Sequence, residues 1–203
     1  MFIVIEGLDG SGGETQSELL KNYFEKIGKS AEKITYPDYS NPIGKLIHDY
    51  LHRKYDFSVE VQFLLYFVDF IKDKEKIRKW LSEKKIVICD RYFTSTLAYQ
   101  SLQGFSIEKA LKIVELFNLP KPDLIIYLKI SPDTSIKRKL NEKEKLDRNE
   151  SNKEFLTRLS KFYEILTEKQ LFGTWRIVDG EKSIGEVHKE IINLVTEFFK
   201  AEF

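Results

Sequence analysis

Cysteine is almost absent from this sequence, because Cys89 is the only one among 203 residues. A single cysteine excludes an intramolecular disulfide and any metal site that is built from several cysteines. Cys89 lies in an apolar run. We therefore expect it to be buried and chemically inert.

Long hydrophobic runs are also missing. The longest apolar-rich segment, residues 59–71, contains Gln62 and Asp69 and is too short and too polar to cross a membrane. The N-terminus has no basic region followed by a long apolar stretch, so we expect no secretory signal. These absences predict a cytoplasmic protein that has no membrane partner.

Neither sign of charge dominates, since 33 Lys and Arg residues face 32 Asp and Glu residues. This balance provides no global basic footprint, so nucleic acid is not expected as a partner. The apolar fraction of 42% is typical of a folded globule, and 203 residues fit one domain that spans the whole chain, 1–203.

Short apolar runs alternate with longer amphipathic segments along the chain. Runs that are rich in Ile and Val and nearly continuous in apolarity are typical of strands buried on both faces. They are Phe2–Ile5, Ala31–Tyr36, Ile86–Cys89, Leu124–Leu128 and Trp175–Val178. Helical patterns lie between them, at about 14–27, 41–53, 58–84, 93–118, 131–140, 152–171 and 183–200. The alternation predicts an α/β fold with a five-stranded parallel sheet and helices on both faces.

The stretch GLDGSGGETQ, residues 7–16, follows the first predicted strand. Gly7 and Gly12 match the glycines of the phosphate-loop template G-x-x-x-x-G-K-[ST]. Such glycines let successive backbone N–H groups point at a phosphate, and the helix that follows adds its positive N-terminal end. The predicted phosphate-binding residues are Gly7, Leu8, Asp9, Gly10, Ser11, Gly12, Gly13, Glu14 and Thr15. An ordinary glycine-rich turn is the alternative interpretation.

Two positions of this loop depart from the template. Gly13 stands where lysine is required, and Glu14 stands where Ser or Thr is required. Shifting the register by one residue would place Thr15 at the metal position, but it would also place Leu8 at the first glycine. The unshifted register is therefore better. Glu14 either points away from the phosphates or ligates Mg²⁺ itself, since Mg²⁺ accepts carboxylates.

A second motif, IVICDRY, ends a predicted buried strand at Asp90. A carboxylate at the end of a strand beside a phosphate loop can hold Mg²⁺, so Asp90 is the predicted metal ligand. Arg91 is permanently charged and can bind phosphate with two parallel hydrogen bonds. The alternative is structural: Asp90 as a helix N-cap and Arg91 as a partner in an ion pair.

The chain resembles the thymidylate kinase (dTMP kinase) family of P-loop nucleoside monophosphate kinases. The resemblance covers residues 1 to about 195 and depends on several motifs in the family's order. They are the loop itself, YPDYSNPIGKLI, DRYFTSTLAYQ, LPKPDLIIYL and DRNESNKEFLTRLSKFYEIL. It implies a P-loop kinase fold with a mobile lid at about 139–151, ATP as phosphoryl donor, Mg²⁺ as cofactor and dTMP as acceptor. It also implies a homodimer that pairs through the long helices, for which Val61, Leu65 and Val68 are candidates.

The same resemblance implies roles for individual residues. Asp9 would meet the sugar of the acceptor, Tyr66 would stack on thymine, and Asp90 with Arg91 would serve the metal and phosphates. The implied acceptor-binding residues are Asp9, Pro37, Tyr39, Tyr66, Phe70, Arg91, Ser95, Tyr99 and Gln100. Tyr66 taken alone could equally be a core aromatic residue, because it lies in an apolar helical stretch.

The lid and the last loop complete the implied donor site. The lid would bring basic side chains to the phosphates, with Lys139, Lys143, Lys145 and Arg148 as candidates. Asp9, Arg91 and Arg148 are the predicted catalytic residues, and Asp179 would flank adenine. A solvated charged loop is the alternative interpretation of the lid, and the lid lacks the interleaved aromatic residues of a nucleic-acid contact.

Besides Gly13 and Glu14, two further departures from the family pattern concern the acceptor. Tyr39 and Phe70 stand where the family usually has arginines that reach the acceptor phosphate and the thymine edge. The principal hypothesis is a working dTMP kinase that forms dTDP and ADP for dTTP biosynthesis. The alternatives are a nucleotide-binding protein with impaired catalysis and a kinase for another pyrimidine monophosphate. His48 and His52 have metal-binding spacing, but no third ligand is evident.

Overall fold

Five strands form one parallel sheet in the computed structural model, which describes residues 1–142 and 145–200. The strands are β1 (Phe2–Gly7), β2 (Ala31–Thr35), β3 (Ile86–Asp90), β4 (Leu124–Lys129) and β5 (Thr174–Asp179). Their spatial order is β2-β3-β1-β4-β5, and every neighbouring pair is parallel. The predicted α/β class and five-stranded parallel sheet are confirmed, with boundaries that move by at most two residues.

Helices connect the strands, and two predicted helices are divided in the structure. The helices are α1 (Gly13–Lys26), α2 (Pro42–Leu51), α3 (Val59–Ile71), α4 (Lys74–Ser82), α5 (Phe93–Leu102), α6 (Ile107–Leu116), α7 (Pro132–Glu142), α8 (Lys153–Glu168) and α9 (Ile184–Phe198). The prediction of a single helix at 58–84 is wrong, because α3 ends at Ile71 and α4 begins at Lys74. The pattern at 93–118 also divides, since Gly104 has a φ of 103° and Ser106 caps α6.

Local sequence signals explain several helix starts. Ser183 and Glu186 form a complete capping box at the start of α9, in which each side chain accepts a hydrogen bond from the backbone N–H of the other residue. Asn41 caps α2 by accepting from two backbone N–H groups, and Pro42 follows at the first helical turn. These caps satisfy donors that a helix leaves unpaired.

The central strands β1, β3 and β4 are buried on both faces, as their continuous apolarity predicts, whereas the same prediction is wrong for the edge strands β2 and β5, which are partly exposed. Along β1, Phe2 and Val4 belong to one core and Ile3 and Ile5 to the other. One core contains side chains of α3, α5 and α8, and the second contains side chains of α1 and α9. Cys89 is fully buried, as expected. Within the described residues no helix has both the length and the apolarity that a membrane span requires.

The sheet order determines where a ligand can bind. β1 lies between β3 and β4, and Ile5 pairs with Asp90 on one side while Gly7 pairs with Leu128 on the other. The chain leaves β1 toward α1 and β2 but reaches β4 on the opposite side, so the connections diverge at the carboxyl end of β1. Open α/β sheets bind ligands at such a divergence.

Candidate active site

The loop between β1 and α1 has a conformation that only glycines accept easily. Gly10 and Gly12 have φ values of 77° and 97°, in the left-handed region. A Cβ on Gly7 would lie 2.5 Å from Ser11 Oγ and 2.9 Å from Leu128 O. No side chain caps the N-terminus of α1, so its backbone N–H groups remain directed at the loop. The conformation therefore suits an anion without any help from lysine.

This loop surrounds a cavity of about 190 Å³. Every residue from Ile5 to Thr15 lines it, including all nine predicted loop residues. Asp90 and Arg91 close one side, and Lys139 with Glu142 from α7 closes another. Asp179 does not line the cavity; its carboxylate accepts a hydrogen bond from Glu181 N at the end of β5.

Arg91 lies beside the loop and is held by side chains from two elements. Its Nη2 donates to Asp9 Oδ1 at 2.7 Å, and its Nη1 donates to Ser95 Oγ at 3.4 Å. Tyr99 OH donates to Asp9 Oδ2 at 3.3 Å. The backbone of Arg91 is left-handed, with a φ of 63°. Asp9, Arg91, Ser95 and Tyr99, which were predicted from distant motifs, are thus brought together.

A buried carboxylate beneath Arg91 was missed by the sequence analysis. Glu6 is 1% exposed and accepts hydrogen bonds from Tyr92 N, Thr94 Oγ1, Ser95 Oγ and Tyr163 OH at 2.6–3.1 Å. Burial raises the pKa of the Glu6 carboxyl, against the lowering effects of Arg91, Ser95, Thr94 and the Tyr92 backbone N–H. Tyr92 provides no side-chain cap for α5, and the Glu6 carboxylate lies at the N-terminal end of that helix, where negative charge is favourable. The only sequence signal was one acid in an apolar strand.

A second cavity, of about 310 Å³, opens between α3, α5 and the loop after β2. Its lining includes all nine predicted acceptor-binding residues, namely Asp9, Pro37, Tyr39, Tyr66, Phe70, Arg91, Ser95, Tyr99 and Gln100. Thr96, Asp147 and Asn149 also line it, and the sequence analysis did not select them. Two buried polar atoms on this wall, Gln100 Oε1 and Thr96 Oγ1, have no hydrogen-bond partner among the described residues. They are available to a polar ligand.

The two residues that replace family arginines lie in different surroundings. Phe70 is 2% exposed and packs edge-on against Tyr36 and Tyr92, so it belongs to the core as well as to the cavity wall. Tyr39 is 46% exposed and contacts the ring of His48. Its loop is anchored by buried Asp69, which accepts from Asp38 N at 2.9 Å.

The predicted lid residues occupy several positions. Lys139 lines the loop cavity, whereas Arg148 lines neither cavity: it donates to Tyr50 O and Tyr55 O and pairs with Asp56 at 2.6 Å. Lys145 is exposed, and Lys143 lies outside the described residues. The structure therefore brings Lys139, and not Arg148, to the phosphate loop.

Arg138 is a basic residue near the loop that was not predicted. Its guanidinium donates to Gly10 O at 3.1 Å and to Gly180 O at 3.0 Å. Ser135, one turn earlier on α7, donates to Asp9 O at 2.6 Å. Residues of α7 thus hold the phosphate loop against the loop that follows β5. Arg138 was adjacent to a predicted candidate in the sequence, but nothing in the pattern distinguished the two.

The two cavities share four residues: Asp9, Glu14, Asp90 and Arg91. Burial raises the pKa of Asp90 to about 6, against the lowering effects of Arg91 and Lys33. Within the described residues, no group of three or more His, Cys, Asp or Glu side chains is arranged to hold a metal. His48 and His52 stack on each other, and His52 Nδ1 contacts His48 O. A cation at the junction would therefore need ligands from a bound nucleotide.

Comparisons with known proteins agree with this geometry. A family model described as thymidylate kinase matches residues 5–191. The chain is 35% identical to a probable thymidylate kinase of Methanocaldococcus jannaschii, over 95% of this chain and 94% of the relative. It is 34% identical to that of Pyrococcus horikoshii, over 96% and 95%, and 31% identical to the thymidylate kinase of Homo sapiens, over 94% and 87%. A family match over nearly the whole chain, on a fold with this paired site, shows that the chain belongs to the thymidylate kinase family.

Proposed function

We propose that this chain transfers the γ-phosphoryl group of ATP to dTMP and so forms dTDP and ADP. The observation that carries the proposal is the junction of the two cavities. One cavity is built from a phosphate loop and the other from aromatic and amide side chains, and they share Asp9 and Arg91. A donor phosphate in the first cavity and an acceptor phosphate in the second would meet at these residues.

The acceptor is positioned by groups on three elements. Tyr66 on α3 presents an aromatic ring to the larger cavity, where a planar base could stack. Gln100 and Thr96 on α5 present polar atoms that have no partner among the described residues. Asp9, held by Arg91 and Tyr99, would accept from the sugar hydroxyl. This arrangement supports a pyrimidine nucleoside monophosphate, and the family supports dTMP.

Phosphoryl transfer depends on positioning and charge stabilisation rather than on a covalent intermediate. The attacking phosphate oxygen is already anionic, so no general base is required. Arg91 would contact the transferring group, and Lys139 would reach the donor phosphates from α7. Mg²⁺ would be held at Asp90, whose buried carboxylate accepts no hydrogen bond within the described residues; when bound, the ion neutralises phosphate charge. Arg148 could join only after leaving Tyr50 and Asp56.

The direct test is formation of nucleoside diphosphate from ATP and Mg²⁺ with dTMP, dUMP, UMP, CMP, AMP and GMP as acceptors. We expect turnover with a preference for dTMP. If another pyrimidine monophosphate is preferred, that nucleotide replaces dTMP as the proposed acceptor. Phe70→Arg, which restores the usual family residue, would then be the first variant to assay.

A second candidate function is nucleotide binding without efficient transfer, which Gly13 and Glu14 favour because they remove a positive charge and add a negative one. Calorimetric binding of dTMP and ATP without turnover would support it. Arg91→Ala distinguishes the two: it should abolish most turnover in a kinase, but it should change only affinity in a binding protein.

Three further properties are proposed on coarser grounds. We propose one domain over residues 1–203, because a single sheet receives strands from the whole length of the chain, and we propose a cytoplasmic location. We also propose a homodimer through α3, where Val61, Leu64 and Val68 are 41–51% exposed along one face. Leu65, named in the sequence analysis, instead packs against the small core cluster of Ile47, Tyr50 and Leu51. Light scattering would test the dimer: the parent protein should have the mass of two chains and Val68→Glu the mass of one.

A further inference from the structure

The surroundings of Asp90 point to a ligand that the chain itself does not supply. Asp90 is 7% exposed, and no N–H or O–H group of residues 1–142 and 145–200 donates a hydrogen bond to its carboxylate. It lies at the junction of the two cavities, where a nucleotide phosphate would be close. A buried carboxylate normally has a hydrogen-bond partner, a paired counter-charge or a metal ion. The charges of Arg91 and Lys33 lower the pKa of Asp90, but among the described residues neither forms an ion pair with it.

Gly13 is directly connected with this position. A Cβ placed on Gly13 would lie 2.5 Å from Asp90 Oδ1, which is closer than two such atoms can approach. The lysine of the phosphate-loop template is therefore incompatible with the Asp90 carboxylate in its present position. The absence of a side chain at residue 13 allows Asp90 to lie against the start of α1.

Three carboxylates line both cavities at this junction, and of the two besides Asp90, Asp9 is paired with Arg91, which leaves Glu14. Lys33, the nearest basic side chain of β2, donates to the backbone O of Glu14 and pairs with Glu18 at 3.1 Å. No described side chain pairs with the Glu14 carboxylate itself. Glu14 and Glu18 are thus one turn apart on α1, but only Glu18 has a cationic partner.

Charge explains why a cation belongs here. The template provides one positive charge and a neutral hydroxyl at positions 13 and 14, whereas this loop provides no charge and one negative charge. A carboxylate beside phosphates repels them unless a cation lies between the two. Mg²⁺ is commonly bound by one or two carboxylates together with substrate phosphates.

We propose that Glu14 replaces the template's Ser or Thr as a metal ligand, so that Glu14 and Asp90 together hold the divalent cation of the bound nucleotide. The proposal rests on the proposed function only in assuming that nucleotide occupies the loop cavity. In this arrangement the metal ion lies between the Glu14 carboxylate and the nucleotide phosphates and offsets their mutual repulsion. Gly13 contributes by leaving room for Asp90.

The test is Mn²⁺ binding, followed by electron paramagnetic resonance of the free ion, in full-length protein saturated with ADP. Glu14→Gln removes the charge at nearly constant shape and should weaken Mn²⁺ binding about tenfold or more. Glu18→Gln, one turn along α1, should leave Mn²⁺ affinity unchanged. Equal affinity in Glu14→Gln and the parent protein would overturn the proposal, as would an equal loss in Glu18→Gln.

Two more variants separate ligation from general electrostatics. Glu14→Ser supplies the template's hydroxyl and should regain most of the Mn²⁺ affinity that Glu14→Gln loses. Failure of Glu14→Ser to bind better than Glu14→Gln would contradict a ligand role. Gly13→Ala removes no charge, but it should still weaken Mn²⁺ binding by displacing Asp90; unchanged affinity would contradict the coupling between Gly13 and Asp90.

This measurement is independent of turnover. Loss of Mn²⁺ affinity in Glu14→Gln with no dTDP formed by the parent protein would support the metal site and reject the kinase proposal. Turnover by the parent protein with unchanged Mn²⁺ affinity in Glu14→Gln would support the kinase proposal and reject the metal site at Glu14. Because Glu14 is exposed, Glu14→Gln should fold, and its thermal unfolding should match that of the parent.

Discussion

The phosphate loop and the Arg91 segment lie on either side of one junction, yet they are built differently. The loop is formed by its backbone, with left-handed Gly10 and Gly12 and the N-terminus of α1. The Arg91 segment is formed by side chains, since Asp9 and Ser95 hold the guanidinium. A loop made of backbone groups keeps its conformation when Gly13 and Glu14 replace the template's Lys and Ser or Thr, whereas a side-chain network does not tolerate the loss of a member.

The largest effect should come from Arg91→Ala, which removes the central cation of the side-chain network. We expect kcat/KM for dTDP formation to fall about 10²- to 10³-fold, as when a preorganised charge-stabilising group is lost. Steady-state kinetics with ATP and dTMP would measure it. Arg78→Ala, at a half-exposed arginine on α4, is the matched control. Equal activity of Arg91→Ala and Arg78→Ala would break the comparison between the two regions.

Glu6→Gln should have the next largest effect. The amide keeps the shape of the side chain. Its NH₂ group, however, faces N–H and O–H donors whose hydrogen bonds the Glu6 carboxylate accepts in the parent protein. We expect unfolding free energy to fall by about 1–3 kcal/mol and kcat to decrease more than KM rises, because Ser95 and Arg91 lose their support. Urea unfolding and kinetics would show this. Glu164→Gln, at a half-exposed glutamate that pairs with Lys129, should change neither.

Lys139→Ala should weaken the donor site by a smaller amount. Lys139 lines the loop cavity but is also paired with Glu142 and lies 3.8 Å from Glu150, so part of its charge is already neutralised. We expect KM for ATP to rise about tenfold or less, with KM for dTMP unchanged. Lys137→Ala, two residues away and exposed on the same helix, is the control. A larger rise in KM for ATP in Lys137→Ala than in Lys139→Ala would show that Lys139 is not the lysine that serves the donor site.

The smallest effect lies outside both regions, at His188 on α9. Its Nδ1 is buried without a partner among the described residues, and burial lowers the pKa of the imidazole. The unfolded chain therefore binds a proton near its ordinary pKa of 6.5 while the folded chain does not. Unfolding free energy falls as pH falls through this range. In thermal unfolding, His188→Gln should lose less stability than the parent between about pH 7 and 5, by under about 1 kcal/mol.

Much of the fold followed from patterns that are local in the chain. Five nearly continuous apolar runs predicted five strands buried on both faces. The structure confirms the five strands, but the edge strands β2 and β5 are partly exposed because each has a neighbouring strand on one side only. Helix ends were less predictable. The division between α3 and α4 has no glycine or proline to mark it, so a continuous helical pattern concealed the break at Lys72 and Asp73.

The candidate site was predicted in part for the same reason. Residues in compact motifs, such as Asp9 and Arg91, were found because their neighbours in sequence identified them. Glu6 and Arg138 were missed because their partners come from segments far away in the chain. Tyr163, for example, is 157 residues from Glu6, and Gly180 is 42 residues from Arg138.

The sequence by itself determined the succession of strands and helical segments along the chain and the glycine pattern of the phosphate loop. Each of these depends on local periodicity or on backbone freedom at single residues. Only the tertiary structure decided that Asp90 lies where a side chain at residue 13 would be, that Arg148 faces Tyr50, and that two cavities meet at Arg91. Such contacts arise when packing brings distant segments together, and no local pattern encodes their distances.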